Sequence, residues 1–126
     1  MPVVGLGIDI VNIKRIEKVL LSNKNKFLLK ILHKKEKNKV KLTSSTVAKK
    51  FAAKEAFSKA LGTGIGKTIN FNEICIIHNK NGAPKIKLDK NVEKRLLAKL
   101  RLKKIKFFLS ISDDYPFATA TVIISN

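Results

Sequence analysis

The chain has one cysteine, Cys75, one tyrosine and no tryptophan among its 126 residues. A lone cysteine closes no internal disulfide, so nothing covalent staples this fold, and the usage suits a reducing cytoplasm. So few large aromatics leave little with which to stack successive nucleic-acid bases. Only Arg15, Arg95 and Arg101 are arginine, which favours diffuse attraction over two-point recognition of phosphate or guanine. Apolar runs stay far short of the roughly 20 residues of a membrane span. The start, Met1-Pro-Val-Val-Gly-Leu-Gly-Ile-Asp9, lacks the basic stretch that opens a secretory signal. Acids are scarce as well: nine Asp and Glu stand against 27 Lys and Arg, for a net charge of +18.

What is present describes one cytoplasmic domain, residues 1–126, with an apolar fraction of 44% that supports a modest core. The charge has two readings. Heavy use of lysine, isoleucine and asparagine follows from AT-rich codons; it also suits a polyanionic partner, whether nucleic acid, anionic membrane or acidic protein. Composition does not choose. A peripheral membrane protein would need a large exposed aromatic-apolar helix face, which the helical segments lack.

Residues 3–9 read as a short apolar strand whose two glycines imply close approach of another backbone. Asn12 caps a helix from Ile13 to Leu21, and residues 22–26 form a turn. Phe27 to Leu32 is a short helix, and the lysine-dense residues 33–41, with Glu36 their only acid, are compatible with another. Thr43-Ser-Ser-Thr46 caps a main helix of about Val47 to Leu61, ended by Gly62. Strands follow at Glu73–His78 and Lys85–Leu88, joined through Asn79–Pro84. Asp89 caps a helix through Val92, Leu96 and Leu100, and strands at Lys106–Ser112 and Ala118–Ile124 close the chain. The order β-α-α-α-β-β-α-β-β gives the α+β class.

Glu55 and Lys59 sit one helical turn apart, just ahead of Gly62-Thr-Gly-Ile-Gly66. They form an ordinary exposed pair, or else a carboxylate for a hard cation beside an ammonium for a phosphate. A metal needs a second acid, and Asp9 at the strand end is the candidate. On spacing alone it better suits a helix-dipole partner or an ion pair with a lysine. Neither glycine cluster is a dinucleotide fingerprint or a Walker loop, because the spacing or the order of helix and glycines is wrong. His33 and His78 lack ligand spacing and read as bystanders; Cys75 and Phe57 read as core.

Gly5-Leu-Gly-Ile-Asp-Ile-Val11, Arg15-Ile16, Lys50-Phe-Ala-Ala-Lys-Glu-Ala-Phe-Ser-Lys-Ala-Leu-Gly-Thr-Gly-Ile-Gly66, Asn81-Gly-Ala-Pro84, Leu109-Ser-Ile-Ser112 and Ala118-Thr-Ala-Thr-Val122 together resemble bacterial holo-acyl-carrier-protein synthase. This family is the small, stand-alone class of 4′-phosphopantetheinyl transferases. The resemblance implies a compact α+β fold, a mostly antiparallel sheet packed on a long central helix. It implies transfer of phosphopantetheine from coenzyme A to a serine of apo-acyl carrier protein, releasing adenosine 3′,5′-bisphosphate. It assigns Mg²⁺ to Asp9 and Glu55, and phosphate contact to Lys59. The serine proton then goes to Glu55 or to a metal-bound water relayed through a nearby acid, and Glu36 has at most an auxiliary role. Gly62, Gly64, Gly82 and Pro84 fall in segments that line the coenzyme A site. The acidic carrier docks on the basic first helix, here Lys14, Arg15 and Lys18, with Lys30 nearby. A homotrimer with active sites between subunits is also implied, with apolar strand surface at 106–124 buried by a neighbour. Two departures stand out. Asp113 replaces a histidine used near the 3′-phosphate, so other cations must meet that group, and Lys50 replaces an arginine. A small nucleic-acid-binding protein is the alternative class.

Overall fold

The first element is the ten-residue strand β1, Val3–Asn12. The computed structural model describes residues 2–37 and 41–126. Then come α1 (Ile13–Ile31), a 3-10 turn at Lys34–Glu36, α2 (Ser44–Leu61), a second 3-10 turn at Phe71–Glu73, the hairpin β2 (Ile74–His78) and β3 (Pro84–Leu88), α3 (Lys90–Leu100), β4 (Lys106–Asp114) and β5 (Phe117–Ser125). The main sheet is antiparallel in the order β1-β5-β4. One of its faces lies on α2, which packs against β1, β5 and β4. This is the α+β class expected. None of the described helices is long and apolar enough to cross a membrane.

Alternation decides the strands. In β5, Ala118, Ala120, Val122 and Ile124 are buried on α2, while residues between them face out. Helix α2 is buried nearly all round, and four of its alanines are fully or almost fully hidden: Ala48, Ala52, Ala53 and Ala56. Thr43 caps it by accepting the Thr46 N–H at 3.2 Å, and Gly62 ends it at φ 82°, where a side chain would be strained. Asn12 caps α1 through the Lys14 N–H at 3.0 Å.

Three details differ from the sequence reading. A break does fall inside the expected 22–26 turn but takes only one residue: two helical segments meet at a kink at Asn23 (φ −155°, ψ 53°), and α1 spans both. Leu20, Phe27 and Leu28 on either side all pack on the core, which keeps both halves docked around the kink. The lysine-dense segment makes only the short turn Lys34–Glu36, and residues 38–40 lie outside the described residues. Asp89 stands at the start of α3 but makes no capping bond with its side chain. Its carboxylate turns to buried His33, 3.2 Å from Nε2. Nδ1 of His33 accepts the Lys35 N–H at 3.0 Å, so Nε2 carries the proton that Asp89 receives.

Candidate active site

Two glycines bring the site together. A Cβ on Gly5 would stand 2.0 Å from the Ala60 carbonyl oxygen, and one on Gly7 would stand 2.0 Å from that of Ala56. Strand β1 therefore lies directly on the α2 backbone. Alternation places Asp9 on the same side as Gly5 and Gly7, beside the turn of α2 that carries Glu55 and Lys59. Lys59 Nζ donates to Asp9 Oδ1 at 3.1 Å and to the Ile8 carbonyl at 3.1 Å. Thr119 Oγ1 donates to the Asp9 carbonyl at 2.9 Å and steadies that end of the strand. Burial and the nearby Asp9 charge push the half-buried Glu55 carboxyl above its usual range, opposed by Lys59 and Arg15. The two carboxylates thus share one electrostatic site within a single chain. Lys59 meets the second of the readings made for Asp9, an ion pair with a lysine.

Arg15 reaches this site from α1. Its guanidinium lies 5.6 Å from the centre of the Phe51 ring, and its charge acts on Glu55. Lys14, Lys18 and Lys30 are exposed along α1. Gly64 donates its N–H to the Ser58 carbonyl at 3.2 Å, which folds the glycine turn back over the end of α2.

The remaining predicted residues lie elsewhere. Gly82 and Pro84 line a cavity of about 340 Å³ with Thr46, Lys49, Lys50 and Asp113. Thr46 and Glu55 are nine residues apart on α2, as are Lys50 and Lys59. At about 100° per residue, nine steps are about two and a half turns, so the cavity and the carboxylate pair occupy opposite faces of one helix. Asp113 faces Lys49 at 3.8 Å in the cavity rim.

A second ionic cluster escaped the sequence reading. Buried Glu36 accepts from Lys50 Nζ at 2.8 Å, Lys54 Nζ at 2.5 Å, the His33 N–H at 2.8 Å and the Ile76 N–H at 3.2 Å. It ties the end of α1, helix α2 and strand β2 together. The available signal was a pair of lysines four apart, Lys50 and Lys54, among the alanines of α2, together with the isolated acid at Glu36.

The family model of the 4′-phosphopantetheinyl transferase superfamily matches residues 5–120. The chain belongs to that superfamily. Holo-[acyl-carrier-protein] synthase of Buchnera aphidicola subsp. Acyrthosiphon pisum is 43% identical over 129 aligned positions, covering 100% of each chain. The crystal structure of holo-[acyl-carrier-protein] synthase from Neisseria meningitidis superposes with a TM-score of 0.86 at 31% identity, over 99% of this chain and 100% of that one. That of the Helicobacter pylori enzyme, in complex with coenzyme A, gives 0.80 at 42% identity, over 95% and 99%. The chain is an enzyme of the phosphopantetheinyl transferase class and groups with the holo-[acyl-carrier-protein] synthases.

Proposed function

We propose that this enzyme moves the 4′-phosphopantetheine arm of coenzyme A onto a serine of apo-acyl carrier protein, with Mg²⁺, and releases adenosine 3′,5′-bisphosphate. One observation carries the mechanism: Asp9, Glu55 and Lys59 converge where β1 crosses α2. The coenzyme A held by the Helicobacter pylori neighbour supports coenzyme A as the donor.

The donor set suits a hard cation. Asp9 and Glu55 offer only oxygen, and no group of three or more His, Cys, Asp and Glu side chains stands ready for a metal among the described residues. Magnesium takes one or two carboxylates and completes its shell with phosphate and water, which two acids allow. Asp9 and Glu55 would hold it; once bound, the ion would draw charge from the attacked phosphorus and from the departing phosphate. Lys59 supplies a mobile positive charge beside the phosphate, where negative charge builds as the serine oxygen attacks. Arg15 closes the carrier side of the same site, and with Lys14 and Lys18 it presents cations to the acidic carrier.

The cavity of Gly82 and Pro84 takes the nucleotide end of coenzyme A. Ile76, Pro84 and Ile111 give it apolar walls, and open space beyond the Gly82 backbone lets a ligand approach. Asp113 repels a phosphate, and Lys49 beside it offsets that repulsion. Because this cavity and the carboxylate pair face opposite ways, a complete site joins two subunits. The outward face of the sheet supports such an assembly: Leu6, Ile8 and Ile10 are exposed in a row, with Phe108 and Phe117 on the same face. The strongest part of that row is on β1, outside the 106–124 segment singled out from sequence.

The test is a mass measurement. Incubation with coenzyme A, Mg²⁺ and apo-acyl carrier protein should add one phosphopantetheine to the carrier. Asp9→Asn and Glu55→Gln should stop the gain while still binding carrier. Full turnover by both variants rules out the metal role.

A further inference from the structure

The position of the Lys59 ammonium has a consequence for how the site is filled. Its two hydrogen bonds, to Asp9 Oδ1 and to the Ile8 carbonyl, are both 3.1 Å. The Asp9 side chain is only 14% exposed, whereas that of Lys59 is 53% exposed. A largely buried carboxylate is thus held by a lysine whose side chain is half in solvent. An exposed lysine side chain changes rotamer in picoseconds to nanoseconds, so nothing in the packing holds it there except those two bonds. An ammonium has three protons and no acceptor; two protons are engaged and one is left for an anion.

We propose that Lys59 is the resident counter-ion of Asp9 and that it must leave this carboxylate, for a phosphate of the substrate, when a divalent cation enters. This rests on the reading of Asp9 and Glu55 as the metal ligands. Two cations cannot occupy the same carboxylate oxygen at close range without strong repulsion. Metal entry at that oxygen therefore breaks the Lys59–Asp9 bond and leaves the ammonium, held only by the Ile8 carbonyl, next to a like charge. With a phosphate-bearing substrate in place, the ammonium has a new anionic partner, and its departure costs less. Metal and substrate then strengthen one another's binding, and by linkage the factor is the same in both directions. The exchange also delivers Lys59 to the phosphate at the moment the site is loaded, and no separate closing motion is needed.

The experiment uses Mn²⁺ as the probe, with free ion followed by electron paramagnetic resonance, on the full chain with and without coenzyme A. Lys59→Met should bind Mn²⁺ alone about twofold to fivefold more tightly than the unchanged protein, the scale of a partly exposed ion pair. Coenzyme A should tighten Mn²⁺ binding by a larger factor in the unchanged protein than in Lys59→Met. Arg15→Met removes a charge that acts on Glu55 without touching Asp9, and it should change Mn²⁺ affinity less than Lys59→Met does. The exchange is overturned by Lys59→Met binding Mn²⁺ no more tightly than the unchanged protein, by an equal gain in Arg15→Met, or by an unchanged coenzyme A factor. Asp9→Asn separates the two levels. If it binds Mn²⁺ as the unchanged protein does, the metal reading itself falls; if it loses Mn²⁺ while Lys59→Met gains nothing, only the exchange falls.

Discussion

Glu55 and Glu36 are pulled in opposite directions by the same fold. Burial and the Asp9 charge raise Glu55, with Lys59 and Arg15 opposing only in part. An acid raised on folding contributes stability that is complete below its unfolded value and is lost as pH climbs through its folded one. In metal-free protein, ionising Glu55 therefore costs stability as pH rises. Glu55→Gln should raise the melting temperature in chelator at pH 7.5, and that gain should fade towards pH 4. Turnover should nevertheless drop more than tenfold to a hundredfold, the loss seen when a group merely supporting a metal ligand is removed. Thermal melts and carrier mass gain on one sample measure both. For Glu36, burial pushes the carboxyl up, but the ion pairs with Lys54 and Lys50 outweigh it and hold it below its usual range. Lys54 is nonetheless pulled down, by burial first, with Glu36 opposing. The two directions agree once two ammonium groups share one carboxylate, since each receives only part of a counter-charge. The Glu36 contribution is present above its unfolded value and lost as pH falls through its folded one. Glu36→Gln leaves Lys50 and Lys54 buried without an anion, and should cost about 3–5 kcal/mol in urea unfolding at pH 7.

At the level of elements, the contact of β1 with α2 sets where Asp9 stands relative to Lys59. Gly7 has no room for a Cβ, because the atoms it would meet are backbone: the Ala56 oxygen at 2.0 Å and the Ala60 nitrogen at 2.6 Å. Backbone cannot rotate aside, so Gly7→Ala should lift β1 off the helix, cost about 1–3 kcal/mol or more, and weaken Mn²⁺ binding beyond what that loss of stability explains. Leu96→Ala, a core truncation in α3, is the comparison: it should lower stability and leave Mn²⁺ affinity alone. Much of this contact was legible in the chain, since two glycines inside an apolar strand have few other uses. Caps were legible too, at Asn12, Thr43 and Gly62, because each rests on a local bond or dihedral angle. The polar turn at 22–26 was legible as a break. Its reduction to one kinked residue, Asn23, with Leu20 and Phe27 docked on a common core on either side of it, was not. Nor was the Glu36 cluster, whose members come from three separate elements and are paired by tertiary packing alone. The Asp9–Glu55 pairing came from resemblance; spacing by itself favoured an ordinary ion pair over a metal site.

The whole molecule raises a geometric question that one chain cannot answer by itself. Thr46, Lys50 and the cavity they line look one way from α2, and Glu55 and Lys59 look the other. A substrate touching both halves in one subunit would have to pass around a helix about 10 Å across. A closed ring of identical chains would remove the difficulty, because each contact would bring one chain's cavity to the next chain's carboxylates. The exposed apolar row at Leu6, Ile8 and Ile10 gives such a ring something to bury. Leu6→Glu with Ile10→Glu should therefore yield single chains in analytical ultracentrifugation and no turnover, although each chain keeps Asp9, Glu55 and the cavity. The sharper experiment mixes two inactive proteins. Glu55→Gln has an intact cavity, and Lys49→Glu has an intact carboxylate pair with its cavity rim reversed in charge. Unfolded together and refolded as a mixture, they would form rings in which some junctions pair a sound cavity with a sound carboxylate site. Random assortment in equal amounts makes that about one junction in four, so about a quarter of normal turnover should return. If each site were built within one chain, every site in the mixture would carry one defect, and the mixed sample would stay as inactive as its parts.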